Sequence, residues 1–263
     1  MLKVKTNGLV ISHKKMLDAV DSIYDMWIET SIATEANAGQ FVGVYPVNKA
    51  TLLPRPISIC EVSEDKKQIR LVYRISGTGT KEFATYKEGD SISLLGILGN
   101  GFPIDIANGK RVFLIGGGIG IPPLLQLAKT IHITASAVDM FLGYRDSSLF
   151  LADEMKAYGS VYVATEDGSL GTRGNVLDAI TSSGLSPDII MACGPLPMLR
   201  AIKTYVTKLA IPAYLSLEER MACGVGACLG CVCRTTEIDH HSHVHNARVC
   251  TEGPVFEAGY VEI

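Results

Sequence analysis

The first hundred residues contain six short runs of hydrophobic positions, separated by turn residues at 37–39, 63–67 and 88–90, among others. Several β-type runs at this spacing predict an antiparallel barrel. The six predicted strands lie in VKTNGLVISHKKM, DSIYDMWIETS, QFVGVYPV, ISICEV, QIRLVYRI and DSISLLGILG.

From Lys110 onward, apolar runs of strand length alternate with amphipathic runs of helix length. This alternation predicts a parallel sheet covered by helices, as in Rossmann-like folds. We therefore predict a mixed β and α/β protein with a barrel domain (1–106), an α/β domain (107–215) and a small cysteine-rich domain (216–263). The predicted strands are RVFLIGG, VDMFLGYR, VYVATEDG, DIIMACGP and YLSLEER, and the predicted helices are PPLLQLAKTI, LFLADEMKAY, RGNVLDAITSS and PMLRAIKTYVTKLA.

Composition narrows the possible partners and the compartment. A formal charge of −3 predicts no attraction to nucleic acid or to an acidic membrane surface. The uncharged run at 112–128 holds four glycines and two prolines, which favours a strand-turn-helix over a membrane span. Residues 1–17 are interrupted by lysines and a histidine, so we expect no signal peptide and a cytoplasmic location. In a reducing compartment, the seven cysteines favour metal ligation or redox chemistry over disulfides.

Five of those cysteines fall between residues 222 and 250. Four residues separate Cys223 from Cys228, two separate Cys228 from Cys231, and Cys250 follows after eighteen more. This spacing is the plant-type [2Fe–2S] ligand pattern. The intervening glycines would let the backbone wrap closely around a cluster and direct N–H groups at its sulfurs.

Zinc is the alternative metal, because Cys228 and Cys231 could bind it together with His241 and His245. Only nine residues separate the two pairs, fewer than the twelve or so of a zinc finger. That assignment also leaves two cysteines without a role. We expect the histidine-rich stretch at 240–245 to be a solvated insertion between two strands, with a secondary metal site as the alternative.

Cys60 and Cys193 are lone cysteines, and Cys233 lies close to the predicted cluster ligands. Cys60 is expected in the hydrophobic core, and Cys233 as a small buried residue instead of a ligand.

A glycine-rich turn ends the first strand of the α/β domain and opens a helix at Pro122. Glycines let the backbone approach a pyrophosphate, and a helix N-terminus favours an anion. The pattern is not G-x-G-x-x-G, so a plain tight turn remains the alternative. Cys193, Gly194 and Pro195 close a later strand at the same sheet edge, where ligands of parallel sheets bind.

The barrel offers one further candidate at residues 55–58. Arg55 could grip a pyrophosphate, and Ser58 could donate to a flavin or phosphate. Arg74 and the predicted turn at 77–80 could give a second anion contact. A surface ion pair and a hairpin loop are the alternatives.

Taken in order, RPIS, GGGIG-x-P, CGP and C-x4-C-x2-C resemble the ferredoxin reductase superfamily with a C-terminal iron–sulfur extension. The chain as a whole, including AGQF at 38–41 and LEERMACGVGACLGCVC, is similar to the electron-transfer subunits of class 1B dihydroorotate dehydrogenases. The stretch before Cys250 looks longer than is usual in that family.

The resemblance implies three cofactors and their residues. It implies FAD on the barrel, NAD on the α/β domain and a [2Fe–2S] cluster on the tail, with no catalytic acid or base. For FAD the residues are Arg55, Pro56, Ile57, Ser58, Val72, Tyr73, Arg74, Gly79 and Thr80. For NAD they are Gly116, Gly117, Gly118, Gly120, Cys193, Gly194 and Pro195, and for the cluster Cys223, Cys228, Cys231 and Cys250.

The resemblance also implies a partner and an electron route. An FMN-containing dihydroorotate dehydrogenase catalytic subunit would oxidise dihydroorotate, in a dimer of heterodimers, and its electrons would pass through the cluster and FAD to NAD+. Other reductase subunits on the same scaffold, of sulfide hydrogenase or ferredoxin:NADP+ oxidoreductase type, are the nearest alternative. A zinc-stapled interaction module is a more distant one. The choice between NAD and NADP stays open, because Arg145 could bind the 2′-phosphate of NADP and Asp146 the 2′-hydroxyl of NAD. The resemblance to the family favours NAD.

Overall fold

The computed structural model describes residues 4–17, 22–48, 50–239 and 243–263. The first part is a closed six-stranded antiparallel barrel with strand order β1-β2-β5-β4-β3-β6. Each of the six predicted runs contains a strand, so the barrel prediction is confirmed. The elements are β1 (Val4–Leu17), β2 (Ile23–Glu29), β3 (Phe41–Tyr45), β4 (Arg55–Val62), β5 (Gln68–Arg74), α1 (Thr78–Phe83) and β6 (Ser91–Leu98).

The second part is a parallel sheet with helices on both faces. The five predicted strands pair in parallel, and two short strands, β10 and β15, extend the sheet to seven in the order β10-β9-β8-β7-β11-β12-β15. The elements are β7 (Arg111–Gly117), α2 (Pro122–Ile131), β8 (Ala137–Tyr144), α3 (Ala152–Met155), β9 (Ser160–Thr165), β10 (Thr172–Arg173), α4 (Val176–Ser183), β11 (Ile189–Cys193), α5 (Leu196–Leu209) and β12 (Ala213–Ser216).

The third part is tied to the second. It forms the small hairpin β13 (Val232–Arg234) and β14 (Asn246–Arg248), and its last strand, β15 (Val255–Glu257), pairs antiparallel with β12. One hydrophobic cluster packs Cys231, Cys233 and Cys250 against the sheet, so Cys233 is buried as predicted. The cysteine-rich segment is therefore anchored on the edge of the parallel sheet.

A second hydrophobic cluster joins the barrel to the other face of that sheet. It contains barrel residues such as Cys60 and Val72 beside Leu124 and Leu125 of α2. Cys60 is fully buried, which confirms the prediction.

Two helix predictions are wrong in extent. The run 149–158 forms a helix only at α3, because Phe150 enters the core against Tyr144, whose hydroxyl donates to the Phe150 carbonyl at 2.8 Å. Leu151 adopts a left-handed φ of 63° and delays the helix start. The helix predicted from Arg173 starts at Val176, because Asn175 accepts a hydrogen bond from the backbone of Leu177 as the N-cap.

The predicted turn at 77–80 is instead the start of α1. Thr80 fixes this start, because its hydroxyl accepts hydrogen bonds from the backbone N–H groups of Ser76 and Gly77. In the described parts of the chain, no helix has the length and apolar character needed to cross a membrane.

Candidate functional site

A cleft of about 290 Å³ lies where the three parts of the chain meet. The barrel forms one wall, the carboxyl ends of β11 and β12 form another, and the segment leading into the cysteines forms the third. Its lining residues are Phe41, Arg55, Pro56, Ile57, Ser58, Val72, Tyr73, Arg74, Ser76, Thr80, Ile119, Cys193, Ser216, Leu217, Glu218, Glu219, Met221 and Pro254.

The barrel wall is built from the start of β4 and the end of β5. These strands pair antiparallel, so residues 55–58 and 72–74 reach the same end of the barrel. Gly79 does not line the cleft but supports it. A Cβ atom at Gly79 would lie 2.7 Å from Nε of Arg55, so the glycine leaves room for the guanidinium to lie over α1.

Tyr73 is held from behind by hydrogen bonds. His13 Nδ1 lies 2.8 Å from the Tyr86 carbonyl, which can only accept, so Nδ1 carries the proton when the ring is neutral. His13 Nε2 then accepts from the Tyr73 hydroxyl at 3.0 Å. Burial raises the pKa of Tyr73 well above its ordinary value, so the hydroxyl remains a donor.

At the second wall, the glycine-rich turn packs against the end of β11. Cys193 pairs with Gly116 across the sheet. A Cβ atom at Gly120 would lie 2.5 Å from the Cys193 carbonyl oxygen, and one at Gly117 would lie 2.7 Å from the sulfur of Met198. These glycines permit close packing within the protein.

Gly118 differs from the glycines around it. Its φ is 51°, and a Cβ atom there would meet nothing within 4 Å. The backbone at this position is therefore open to an approaching ligand, directly before the N-terminus of α2. Of the residues predicted for the nucleotide, only Cys193 also lines the cleft.

Cys193 is a poor nucleophile in this setting. Its side chain is buried, and burial, with a smaller contribution from Glu218, raises the pKa of the thiol to about 12. A hydrogen bond with Ser216 opposes the shift only in part. The thiol therefore stays protonated at neutral pH.

The sequence did not single out the segment after β12 as part of the cleft. Glu218, Glu219 and Met221 line it because β12 ends beside β11, at the sheet edge where ligands bind. Glu218 is exposed to solvent in the open cleft. Protein atoms nevertheless surround its carboxyl closely enough that burial raises the pKa of that group, and Arg74 opposes the shift. The position of β12 was the one signal that could have found them.

The loop that follows carries three of the four predicted ligands without regular secondary structure. Left-handed φ angles at Gly224 (68°), Gly226 (81°) and Leu229 (55°) bend it sharply. Backbone N–H groups point at two sulfurs, Val225 at Cys223 and Gly230 at Cys228, both at 3.4 Å. Burial opposes ionisation of Cys223, but hydrogen bonds such as that from Val225 lower the pKa of its thiol to about 6.

The four thiols fall into two pairs. The neighbouring thiol of Cys228 helps to lower the pKa of Cys223, whereas burial and the neighbouring thiol of Cys231 raise the pKa of Cys250 to about 12, with a smaller contribution from Cys223. None of the seven cysteines forms a disulfide. Within the described ranges, no group of three or more His, Cys, Asp or Glu side chains is arranged to hold one metal ion. Two thiolates on each of two irons is the arrangement that a [2Fe–2S] cluster requires.

The described part of the histidine-rich stretch, residues 243–245, lies between β13 and β14. His243 and His245 are exposed, and His240 and His241 lie outside the described residues.

Comparison with protein families gives two matches. Residues 218–262 match the iron–sulfur cluster binding domain of dihydroorotate dehydrogenase B, and residues 114–204 match the oxidoreductase NAD-binding domain. The first match favours iron–sulfur over zinc for the cysteine loop.

Solved structures show the same fold. The chain resembles the NADH-dependent reduced ferredoxin-NADP oxidoreductase with a TM-score of 0.84 and 28% identity, over 97% of this chain and 89% of that chain. It also resembles a ferredoxin NADP+ reductase from Neisseria gonorrhoeae with a TM-score of 0.66 and 17% identity, over 95% and 98%. The second likeness concerns the fold alone.

Curated relatives cover nearly the whole chain. The dihydroorotate dehydrogenase B (NAD+) electron transfer subunit of Geobacillus sp. (strain WCH70) is 42% identical over 96% of both chains. That of Bacillus cereus (strain G9842) is 42% identical over 98% of both. With this identity over the barrel, the sheet and the cysteine loop together, the chain belongs to the family of dihydroorotate dehydrogenase B (NAD+) electron transfer subunits.

Proposed function

We propose that this chain carries electrons from the FMN of a dihydroorotate-oxidising partner subunit to NAD+, with a [2Fe–2S] cluster on the cysteine loop and FAD in the cleft. Continuity between the two sites carries the proposal. Met221 lines the cleft, and Cys223 begins the cysteine loop two residues later. Cys193 and Ile119, from the nucleotide side, line the same cleft. A flavin held there would have the nicotinamide site on one side and the cluster on the other.

Family membership makes the chain one component of an oxidoreductase, whose catalytic partner is a separate subunit. The FMN on that partner and a dimer of heterodimers belong to our proposal. We also propose a cytoplasmic location, because four thiols that form no disulfide and serve as ligands require reducing conditions.

We propose that FAD is held by residues 55–58, 72–74, Gly79 and Thr80. The fit is chemical as well as steric. Arg55 offers guanidinium donors for a pyrophosphate, Ser58 offers a hydroxyl, and Tyr73 offers an aromatic ring whose hydroxyl is already engaged with His13. Gly79 keeps the Arg55 side chain over α1.

For the cluster we propose Cys223, Cys228, Cys231 and Cys250. The pairing of the four thiols and the N–H groups directed at two sulfurs support this assignment. For NAD+ we propose the turn with Gly116, Gly117, Gly118 and Gly120 together with Cys193, Gly194 and Pro195. Gly118 is the position open to a phosphate, and the others hold the turn against β11.

When bound, the flavin supplies the exchange between one-electron transfer with the cluster and two-electron hydride transfer with NAD+. The chain's own residues bind and orient the cofactors and exclude water from them. The protonated thiol of Cys193 would fill the wall beside a bound nicotinamide without competing as a nucleophile. We assign no residue as catalytic acid or base.

We propose the boundaries 1–106, 107–215 and 216–263 for the three domains. Strand β15 nevertheless pairs with β12, so the third domain completes the sheet of the second. The reductase of ferredoxin-NADP type remains the nearest alternative by fold, but relatives at 42% identity favour the dihydroorotate route.

Anaerobic purification followed by assay of iron, sulfide, zinc and flavin tests the proposal. We expect flavin with about two irons and two sulfides per chain, and a visible spectrum that bleaches on adding NADH. Zinc without flavin would refute the electron-transfer function.

A further inference from the structure

A group of charges centred on the buried pair Arg70 and Asp25 joins the barrel to the nucleotide domain, away from the cleft. Arg70 on β5 is only 4% exposed and Asp25 on β2 only 1%. Arg70 donates to both carboxylate oxygens of Asp25 at 2.9 Å. Such a two-point contact fixes the plane of the guanidinium as well as its position.

The remaining N–H groups of Arg70 go to two other carboxylates. Nη1 donates to Glu61 of β4 at 3.2 Å and to Glu154 of α3 at 2.5 Å, and Nη2 donates to Glu154 at 3.1 Å. A guanidinium has five N–H donors, and all five are therefore used. Glu154 is the one of the three carboxylates that comes from the nucleotide domain.

Two further contacts cross the same boundary beside Arg70. Lys129 of α2 donates to Glu61 at 3.0 Å, and the backbone N–H of Val62 donates to the side-chain oxygen of Gln126, also on α2, at 2.8 Å. Lys14 lies 3.6 Å from Asp25 and completes a set of three cations and three carboxylates. The group is neutral as a whole, which suits the burial of Arg70 and Asp25 at its centre.

Three of the elements that meet in this group, β4, β5 and α2, continue into the cleft or the nucleotide turn. Tyr73 follows Arg70 by three residues on β5, and Ser58 precedes Glu61 by three on β4, which is about 10 Å along each strand. Helix α2 starts directly after the turn that contains Gly118. The charge group thus joins the two strands proposed for the flavin to the helix proposed for the nucleotide, at a point outside the cleft.

We propose that Arg70 is a positioning residue that, with Glu154 and Lys129, locks the flavin-binding strands onto the nucleotide domain and so sets the distance between nicotinamide and flavin. This inference rests on the proposed function. Hydride transfer depends steeply on that distance, because a misplacement of about 1 Å can cost about 100-fold in rate. None of the residues proposed for NAD+ takes part in the charge group, so the affinity for NADH should change little when the group is altered.

The test uses Glu154→Gln, because Glu154 is 46% exposed and its loss leaves Arg70 paired with Asp25 and Glu61. Asp153→Asn is the matched control. Asp153 lies on the same short helix, is 94% exposed and pairs only with Lys156 among the described ion pairs. Lys129→Gln breaks the second contact across the boundary and should act in the same direction.

Each variant is purified as the complete complex with its catalytic partner and mixed anaerobically with NADH in a stopped-flow instrument. We expect Glu154→Gln to lower the limiting rate of flavin bleaching about tenfold, with the apparent Kd for NADH within about twofold of the parent. Flavin content, iron content and Tm should match those of Asp153→Asn. This split between rate and binding is not what a general loss of stability produces.

A limiting rate equal to that of Asp153→Asn would overturn the inference. Loss of flavin or a fall in Tm in Glu154→Gln alone would also overturn it, by showing a purely structural role. Failure of the proposed function is distinguishable, because the parent complex would then lack flavin or fail to bleach with NADH before any variant is compared.

Discussion

In the cleft, the lining side chains come from β4, from β5 and from the segment after β12, which lie far apart in the chain and are held by hydrogen-bonded sheets. In the cysteine loop, three of the four proposed ligands lie within residues 223–231, where no strand or helix forms. The loop keeps its bends through left-handed residues such as Gly226 and through N–H groups that face sulfur.

This contrast separates two ways to build a redox site. The cleft is shaped by the fold and should persist without its cofactor. The loop is exposed at residues 227–230 and contains no strand or helix, so it should depend on the cluster for rigidity. Replacing a cluster ligand should therefore abolish cluster binding without affecting the cleft, whereas replacing a cleft residue should reduce cofactor affinity only in part.

The largest effect is expected from Cys228→Ser. Cys228 is the exposed thiol of the proposed four, and its loss should remove the cluster iron while leaving FAD bound. Iron, sulfide and flavin assays measure both, and amide hydrogen exchange should quicken across 222–231. Cys233→Ala is the control and should retain its iron. A Cys228→Ser protein with full iron content would contradict the ligand assignment.

A graded effect is expected from Arg55→Met in the cleft. Loss of the guanidinium should weaken FAD binding by about 30-fold, or about 2 kcal/mol, because a charged contact with the pyrophosphate is removed. Flavin fluorescence on titration of the apoprotein measures the Kd. Lys81→Met, on the exposed side of α1, should leave it unchanged. Equal Kd values in the two variants would remove Arg55 from the site.

Gly120→Ala should disturb the nucleotide turn more modestly. The new methyl group would overlap the backbone of Cys193 and Gly194, both 2.5 Å away, at a cost of about 1–3 kcal/mol in the free energy of unfolding. The KM for NADH should rise, because the turn moves away from β11. Gly259→Ala, where a Cβ atom meets nothing within 4 Å, serves as the control in denaturant unfolding and steady-state assays. An unaltered KM would show that the turn tolerates the shift.

The smallest effect is expected for Cys193. Its pKa in the folded chain is about 12 against an ordinary 9.0, so the folded state holds this proton more tightly than the unfolded state does. The resulting stabilisation is present below pH 9 and fades as the pH rises toward 12. At about pH 8, alkylation with iodoacetamide should label Cys193 only after unfolding, as peptide mass spectrometry would report. Fast labelling of the folded chain would disprove the buried placement.

The two regions also differ in how far the sequence predicts them. The cysteine spacing is local, so the candidate ligands could be named from the sequence alone. The cleft is assembled by topology, and residues such as Glu218 and Met221 carry no local pattern that marks them. The six barrel strands and five parallel strands follow from hydrophobic period. The helix predicted over 149–158 was too long, because tertiary packing of Phe150 against Tyr144 overrides the helical pattern of the sequence.

The central claim is that FAD lies between the nicotinamide and the cluster. The most direct test is anaerobic NADH titration of the holo chain and of a chain stripped of FAD but with its cluster intact, followed by electron paramagnetic resonance of the cluster. The account predicts that NADH reduces the cluster in the holo chain and leaves it oxidised in the stripped chain until FAD is restored. Equal reduction of the cluster without FAD would contradict it.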